Sequence, residues 1–202
     1  MHPPPDRLTH ALLDAARAAG AEAADAIAVA GTSLSIDVRG GALEQAERSE
    51  GVDVGLRVMM GRRQACVSSS EASEATFAEM AERAVAMARE APEDPGVVQA
   101  EPGRLATDTD AARLEMDDPA PEPEPAALEA AAREAEAAAL GVAGVSMVES
   151  ASAAYGRRHL HLATSAGFSA GTARTDSSLS CVAITGEGTG MERDYCGEMR
   201  VH

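Results

Sequence analysis

Apolar residues recur with helical spacing in three stretches of this chain and alternate with polar ones over most of the rest. Residues 6–19 place Leu8, Leu12 and Ala16 on one helical face, with Leu13 beside them. Asp6 is a candidate cap for this helix and Gly20 a terminator. Strand-like runs follow at 25–30 and at Leu34, Ile36 and Val38, where polar residues alternate. Gly40-Gly41 signals a hairpin, and 42–49 reads as a polar return strand. Val52, Val54, Leu56 and Val58 form the clearest strand face; Gly61-Arg62 turns it into a strand at 64–69. The spacing therefore predicts a meander of about five strands.

The strongest helical signal lies at 73–90. Phe77, Met80, Ala81, Ala84, Val85 and Ala88 keep the i, i+3, i+4, i+7 spacing, and Pro92 and Pro95 stop the run. Residues 91–125 read as an exposed connection, with 119–125 (PAPEPEP) near polyproline II. An Ala-rich helix is predicted over 126–140, with Glu129 and Arg133 at i, i+4 and Gly141 as its end. From Val145 the pattern is β again: a strand turned at Tyr155-Gly156, then 157–164, a turn at Ser165-Ala166-Gly167, strands at 168–175 and 177–185, a Gly-rich hairpin at Gly186 to Gly190, and a last strand from Met191. The pattern stops in mid-strand at Val201-His202, so a further C-terminal domain is expected. The fold class is α+β: antiparallel meanders packed with about three helices. The 202 residues read as one domain with sub-regions 1–90, 91–125 and 126–202.

Composition complicates this picture. Alanine accounts for 45 residues, while Leu, Ile, Val and Phe total 32, or 16% of the chain. Below ~20% with a high net charge, a chain enters the range of disorder. Here the apolar positions are periodic, and residues 90–136 carry net −11 of the total −16. The expected consequence is a core that leans on another surface. The acidic balance disfavours a nucleic-acid binder, because phosphates need basic partners. No apolar run is long enough for a transmembrane helix, and the N-terminus lacks a signal peptide, so a cytoplasmic location is expected. All 17 basic residues are Arg, and Lys and Asn are absent. That excludes a P-loop lysine, a Schiff-base lysine, a Ser–Lys dyad and a Cys–His–Asn triad.

Four features carry candidate chemistry. Gly167-Phe168-Ser169-Ala170-Gly171 matches the G-x-S-x-G elbow, with Asp176 or Asp194 and His202 as partners. The elbow needs a helix after the serine, and the sequence reads as strand, so a β-turn is the better account. His159 and His161 share one strand face and could chelate a metal with Cys181 or Asp176; a polar pair facing solvent is the commoner outcome. Gly186 to Gly190 lacks dinucleotide-loop spacing and reads as a hairpin. Met191 to Tyr195 reads as a solvated charged strand. Cys66, Cys181 and Cys196 are an odd set with no CxxC spacing, and the expectation is reduced, buried small residues.

The segment Ser178 to Ile184, followed by Gly-Glu-Gly-Thr-Gly and Met191-Glu-Arg-Asp-Tyr195, resembles the PmbA/TldE family near the end of its N-terminal half. Gly51 to Val58, then Gly61-Arg62, Ala65 and Ser68-Ser69, resembles that family's first sheet. The resemblance runs along essentially the whole chain. It implies the N-terminal α+β domain of a subunit that pairs with a TldD-type subunit in a cytosolic metalloprotease for peptide maturation and degradation of unfolded polypeptides. The zinc motif HExxxH belongs to the TldD-type partner, and no residue here matches it. Catalytic, cofactor-binding and metal residues are therefore expected to be none in this chain. The implied partners are the TldD-type subunit and an unfolded or extended peptide, with a homo-oligomer as a further assembly and neither nucleic acid nor membrane. The alternative is a stand-alone acidic binding module that modulates DNA gyrase, the role once ascribed to the family.

Overall fold

The structure, a computed structural model, describes residues 3–201. In chain order it contains α1 (Pro5–Ala18), β1 (Ala23–Arg39), β2 (Ala42–Met60), β3 (Arg63–Ser69), α2 (Glu74–Glu90), α3 (Pro125–Leu140), β4 (Val145–Thr164), β5 (Ser169–Thr185) and β6 (Glu192–Val201). The strands pair antiparallel in the order β3-β2-β1-β4-β5-β6. The α+β class is as the sequence predicts.

The strand count is not. The expected breaks at 31–33, at Glu50-Gly51, at Tyr155-Gly156 and at Asp176 are absent, and pairs of predicted strands fuse into β1, β2, β4 and β5. At 31–33, Glu50-Gly51 and Asp176 no apolar side chain is buried, so a hydrophobic pattern reads them as interruptions; at 155–156 Tyr155 is buried and it is the glycine that suggests a turn. Gly156 is a strand residue for a steric reason: a Cβ there would meet the Asp176 carboxylate at 3.2 Å.

The chain divides into two compact units. One gathers residues up to Gly31, Gly51–Leu114 and Arg158–Ala173; the other gathers Thr32–Glu50, Glu115–Arg157 and the chain from Arg174. In the first unit, α1 and α2 cover one strand face. All six residues of the predicted α2 stripe are buried. They meet Leu8, Leu12 and Ala16 of α1 and Val52, Val54, Leu56 and Val58 of β2. The buried alanines Ala16, Ala24, Ala26, Ala28, Ala81, Ala84 and Ala88 let the backbones approach closely, which is how an Ala-rich chain builds a packed core.

Helix ends follow local chemistry. The Ser73 hydroxyl accepts from the Thr76 N–H at 3.2 Å and caps α2. α1 has no side-chain cap; Pro4 precedes it and Asp6 sits in its first turn. It ends in a Schellman motif, with Ala21 N–H on the Ala16 carbonyl at 3.0 Å, Gly20 N–H on that of Arg17 at 3.1 Å, and Gly20 at φ 89°.

In the second unit, α3 packs Ala132 against Ile36, Val38 and Ala153. α3 also holds the β1–β2 hairpin. Glu136 Oε2 accepts from Gly41 N–H at 2.8 Å, and Arg133 donates to the Gly41 carbonyl. Gly40 and Gly41 take φ values of 59° and 71°, which suit a tight primed turn.

The connection at 91–125 is mostly exposed, yet it is tied down at named points. In the first unit Val97 is buried, and Gln99 Nε2 donates to the Ala24 carbonyl at 3.1 Å and to Asp25 at 2.9 Å. In the second unit Arg157 forms a bidentate pair with Asp117 at 2.9 and 2.7 Å, and Thr175 donates to the same carboxylate at 3.0 Å. That pairing raises the affinity of Arg157 for its proton. Ordering comes here from hydrogen bonds to strands, which periodicity does not report.

Candidate functional site

α1 brings a hydroxyl and an imidazole onto the end of β4 and the start of β5. Thr9 lies fully buried on the same helix face as Leu12 and Ala16. Its Oγ1 lies 2.9 Å from the Asp6 carbonyl and 2.7 Å from His161 Nδ1. A carbonyl only accepts, so the Thr9 hydroxyl donates to Asp6, and Thr9 Oγ1 accepts from His161 Nδ1–H. Nε2 of the neutral ring then carries the lone pair and accepts from the Ser169 hydroxyl at 3.2 Å. His10, one residue along α1, donates from Nδ1 to the Asp6 carbonyl at 2.7 Å. Its Nε2 lies 3.5 Å from Ser169 Oγ, and its ring centroid lies 5.8 Å from that of His161.

Burial, and then the neighbouring His10, push the His161 pKa below its ordinary value; Asp6 opposes them weakly. A base weakened in this way is poorly suited to take the Ser169 proton. Nδ1 faces a hydroxyl, where a hydrolase triad places a carboxylate. Ser169 begins a strand, and no helix follows. The G-x-S-x-G match is accounted for otherwise: Gly167 makes the turn at φ 97°, and a Cβ on Gly171 would come within 3.2 Å of the His161 ring. Asp176 covers Gly156, Asp194 accepts from the Tyr195 N–H at 2.8 Å, and His202 lies outside the described residues.

His159 is exposed and His161 is buried. With both ring nitrogens of His161 committed, the predicted chelating pair has one free imidazole. Among the described residues no group of three or more His, Cys, Asp or Glu is placed to hold a metal ion. The residues present do not fit the zinc that the resemblance implies for the complex. The cysteine expectation needs correction: Cys66 and Cys196 are exposed and Cys181 is half-buried, because they sit on the open faces or edge of the strands. Gly186 to Gly190 does turn β5 into β6, with a Cβ on Gly186 blocked by the Gly190 carbonyl at 2.3 Å. Every residue of β6 is exposed.

The strand face of the first unit that α1 and α2 leave uncovered carries two grooves of about 450 Å³ each. Ile27, Gly55, Val67 and Leu162 line one, with the Arg57–Asp25 ion pair at its edge. Leu160, Leu162, Phe168 and Ala170 line the other, beside residues 106–114. The strand side of both grooves is apolar, and Asp108, Asp110 and Arg113 border the second. Sequence reasoning missed Thr9 and His10. The one available signal was the position of Thr9 on the apolar face of α1.

The neutral His161 ring has a consequence for pH dependence. About one pH unit above 6.5, the ordinary histidine pKa, the ring is neutral in folded and unfolded chains alike, and its contribution is fully present. As pH falls, the unfolded chain binds the proton first, so stability is lost until the folded ring protonates. Thermal melts from pH 7.5 to 5 are expected to fall more steeply for the wild type than for His161→Gln. Equal slopes would contradict the assignment.

Two family models match the chain. The PmbA/TldA metallopeptidase domain 1 matches residues 24–88, and the PmbA/TldA metallopeptidase central domain matches residues 118–198. Fold and matches together define the leading domains of a metallopeptidase-family protein. The chain belongs to the PmbA/TldD family. Its fold is that of a proposed modulator of DNA gyrase from Bacteroides thetaiotaomicron (TM-score 0.81, 20% identity, 96% of this chain and 44% of that one). It is also that of TldE from Thermococcus kodakarensis (TM-score 0.75, 14% identity, 96% and 43%). A proposed gyrase modulator from Thermotoga maritima is similar as well (TM-score 0.63, 15% identity, 97% and 43%). The chain thus spans less than half the length of these solved chains. No curated protein matches it. Among the described residues no helix is long and apolar enough to cross a membrane.

Proposed function

We propose that this chain forms the N-terminal part of the non-metal subunit of a TldD/TldE-type cytosolic metalloprotease. In this reading the zinc and the catalytic residues belong to a TldD-type partner, and this part presents its apolar grooves to an unfolded or extended peptide. The carrying observation is the pair of consecutive family-domain matches on a fold shared with TldE. The commitment of both His161 nitrogens supports the assignment of metal chemistry to the other subunit.

The test is reconstitution. The chain alone is expected to release no peptide from an unfolded substrate. Together with a zinc-loaded TldD-type subunit it is expected to release peptides, and a chelator should abolish this. Metal-dependent cleavage by the pure chain would overturn the proposal. A second reading, a module acting on DNA gyrase, draws on the acidic 90–136 stretch and on the descriptions of two of the solved chains. A stoichiometric, salt-sensitive effect on supercoiling would favour it.

A further inference from the structure

Two of the three cysteines face each other across the last hairpin. β5 and β6 pair antiparallel, and Cys181 is the register partner of Cys196. Directly opposed residues project to the same face, with Cα atoms about 4.5 or 5.5 Å apart depending on the pair type. A disulfide tolerates Cα separations of about 4.4–6.8 Å, so either pair type admits one. Cys196 is exposed and open to an oxidant; Cys181 is half-buried beside it. Burial, then Glu136, then Cys196 itself hold the Cys181 thiol above its ordinary pKa, which leaves Cys196 as the sulfur an oxidant reaches first.

We infer that Cys181 and Cys196 form a reversible cross-strand disulfide that locks β6 onto β5. The oxidant is a low-molecular-weight disulfide such as oxidised glutathione. The Cys196 thiolate attacks one of its sulfurs and releases one glutathione thiolate, leaving a mixed disulfide. The Cys181 thiolate then attacks the Cys196 sulfur and releases the second. Two protein thiols lose two protons and two electrons, and one oxidised glutathione becomes two reduced molecules.

The position gives the bond an effect. β6 ends the strand order and is exposed throughout, so among the described residues β5 is its one ladder partner. One of its faces carries Tyr195 at 80% and Met199 at 68% exposure. The bond closes the loop around Gly186 to Gly190 and restricts how far this edge can open. Opposed Cβ atoms lie about 4.5–5.5 Å apart, against about 3.8 Å in a relaxed disulfide, so the bond draws the strands together and yields readily to reductant. Cys66 faces Arg57 in the β2–β3 register and has no cysteine partner there. It serves as an internal control.

The experiment equilibrates the purified chain with oxidised glutathione at pH 8, counts thiols after denaturation and maps cross-linked peptides by mass. The Cys181 and Cys196 thiols are expected to be lost together in a single Cys181–Cys196 cross-link that dithiothreitol reverses, while the exposed Cys66 stays a thiol or carries one glutathione. Amide exchange over 192–201 is expected to slow at least about tenfold on oxidation, and not to change in Cys196→Ser. Three unmodified thiols, a stable glutathione adduct on Cys196 beside a free Cys181, or a cross-link through Cys66 would each overturn the inference.

Discussion

Leu56→Ala is expected to destabilise the chain by about 2–5 kcal/mol, while Ile27→Ala changes stability by less than about 1 kcal/mol. Both residues belong to paired strands of the first unit, and they point to opposite faces. Leu56 is 1% exposed and packs under α1 and α2; Ile27 is 38% exposed and lines the uncovered groove. Removing the Leu56 branch takes away transfer free energy and leaves a cavity, because the surrounding alanines have no side chain to move into it. The Ile27 methyls already touch solvent, so their removal opens no cavity. Against a typical net stability of about 5–15 kcal/mol, the first loss is large. Urea unfolding of both variants checks this. Equal losses would mean that the groove face is covered and that the two faces are not distinct.

The sequence carried the helices in detail and the strands only in part. The α2 stripe is a local fact, its residues three or four positions apart, and it appears in the structure as expected, whereas the Ser73 cap was not singled out and the Asp6 cap of α1 is not formed. The fused strands were hidden because 31–33 and Asp176 give no hydrophobic signal while the backbone ladder runs on. Low Leu, Ile, Val and Phe content suggested a thin core, but buried alanines stabilise by close approach rather than by bulk. The cysteine pair depends on the β5–β6 register, which composition cannot report. The His161 contacts are harder still. Thr9 and His161 are separated by 152 positions, and only the docking of α1 decides which of the two paired histidines is buried.

That long-range contact makes Thr9→Val the second large effect. Valine has nearly the shape of threonine, so packing is preserved and only the hydroxyl is lost. The His161 Nδ1–H then has no acceptor in a buried site, a cost of about 1–3 kcal/mol. The Asp6 carbonyl loses one donor but keeps His10 Nδ1–H. If the hydroxyl acts through His161, the cost depends on the imidazole being there. The double variant Thr9→Val/His161→Leu leaves no buried donor, and it is expected to be more stable than the sum of the two single losses predicts by about 1 kcal/mol or more. Additive losses would show that Thr9 and His161 are not coupled, and the tautomer assigned to His161 would fall with them. The same variants separate structure from chemistry at Ser169. An interaction that only positions α1 on β4 and β5 moves the melting temperature and its pH dependence together. If reconstituted peptidase activity fell instead in proportion to the loss of the Ser169–His161 bond at unchanged stability, the hydroxyl would belong to the reaction and not to the scaffold.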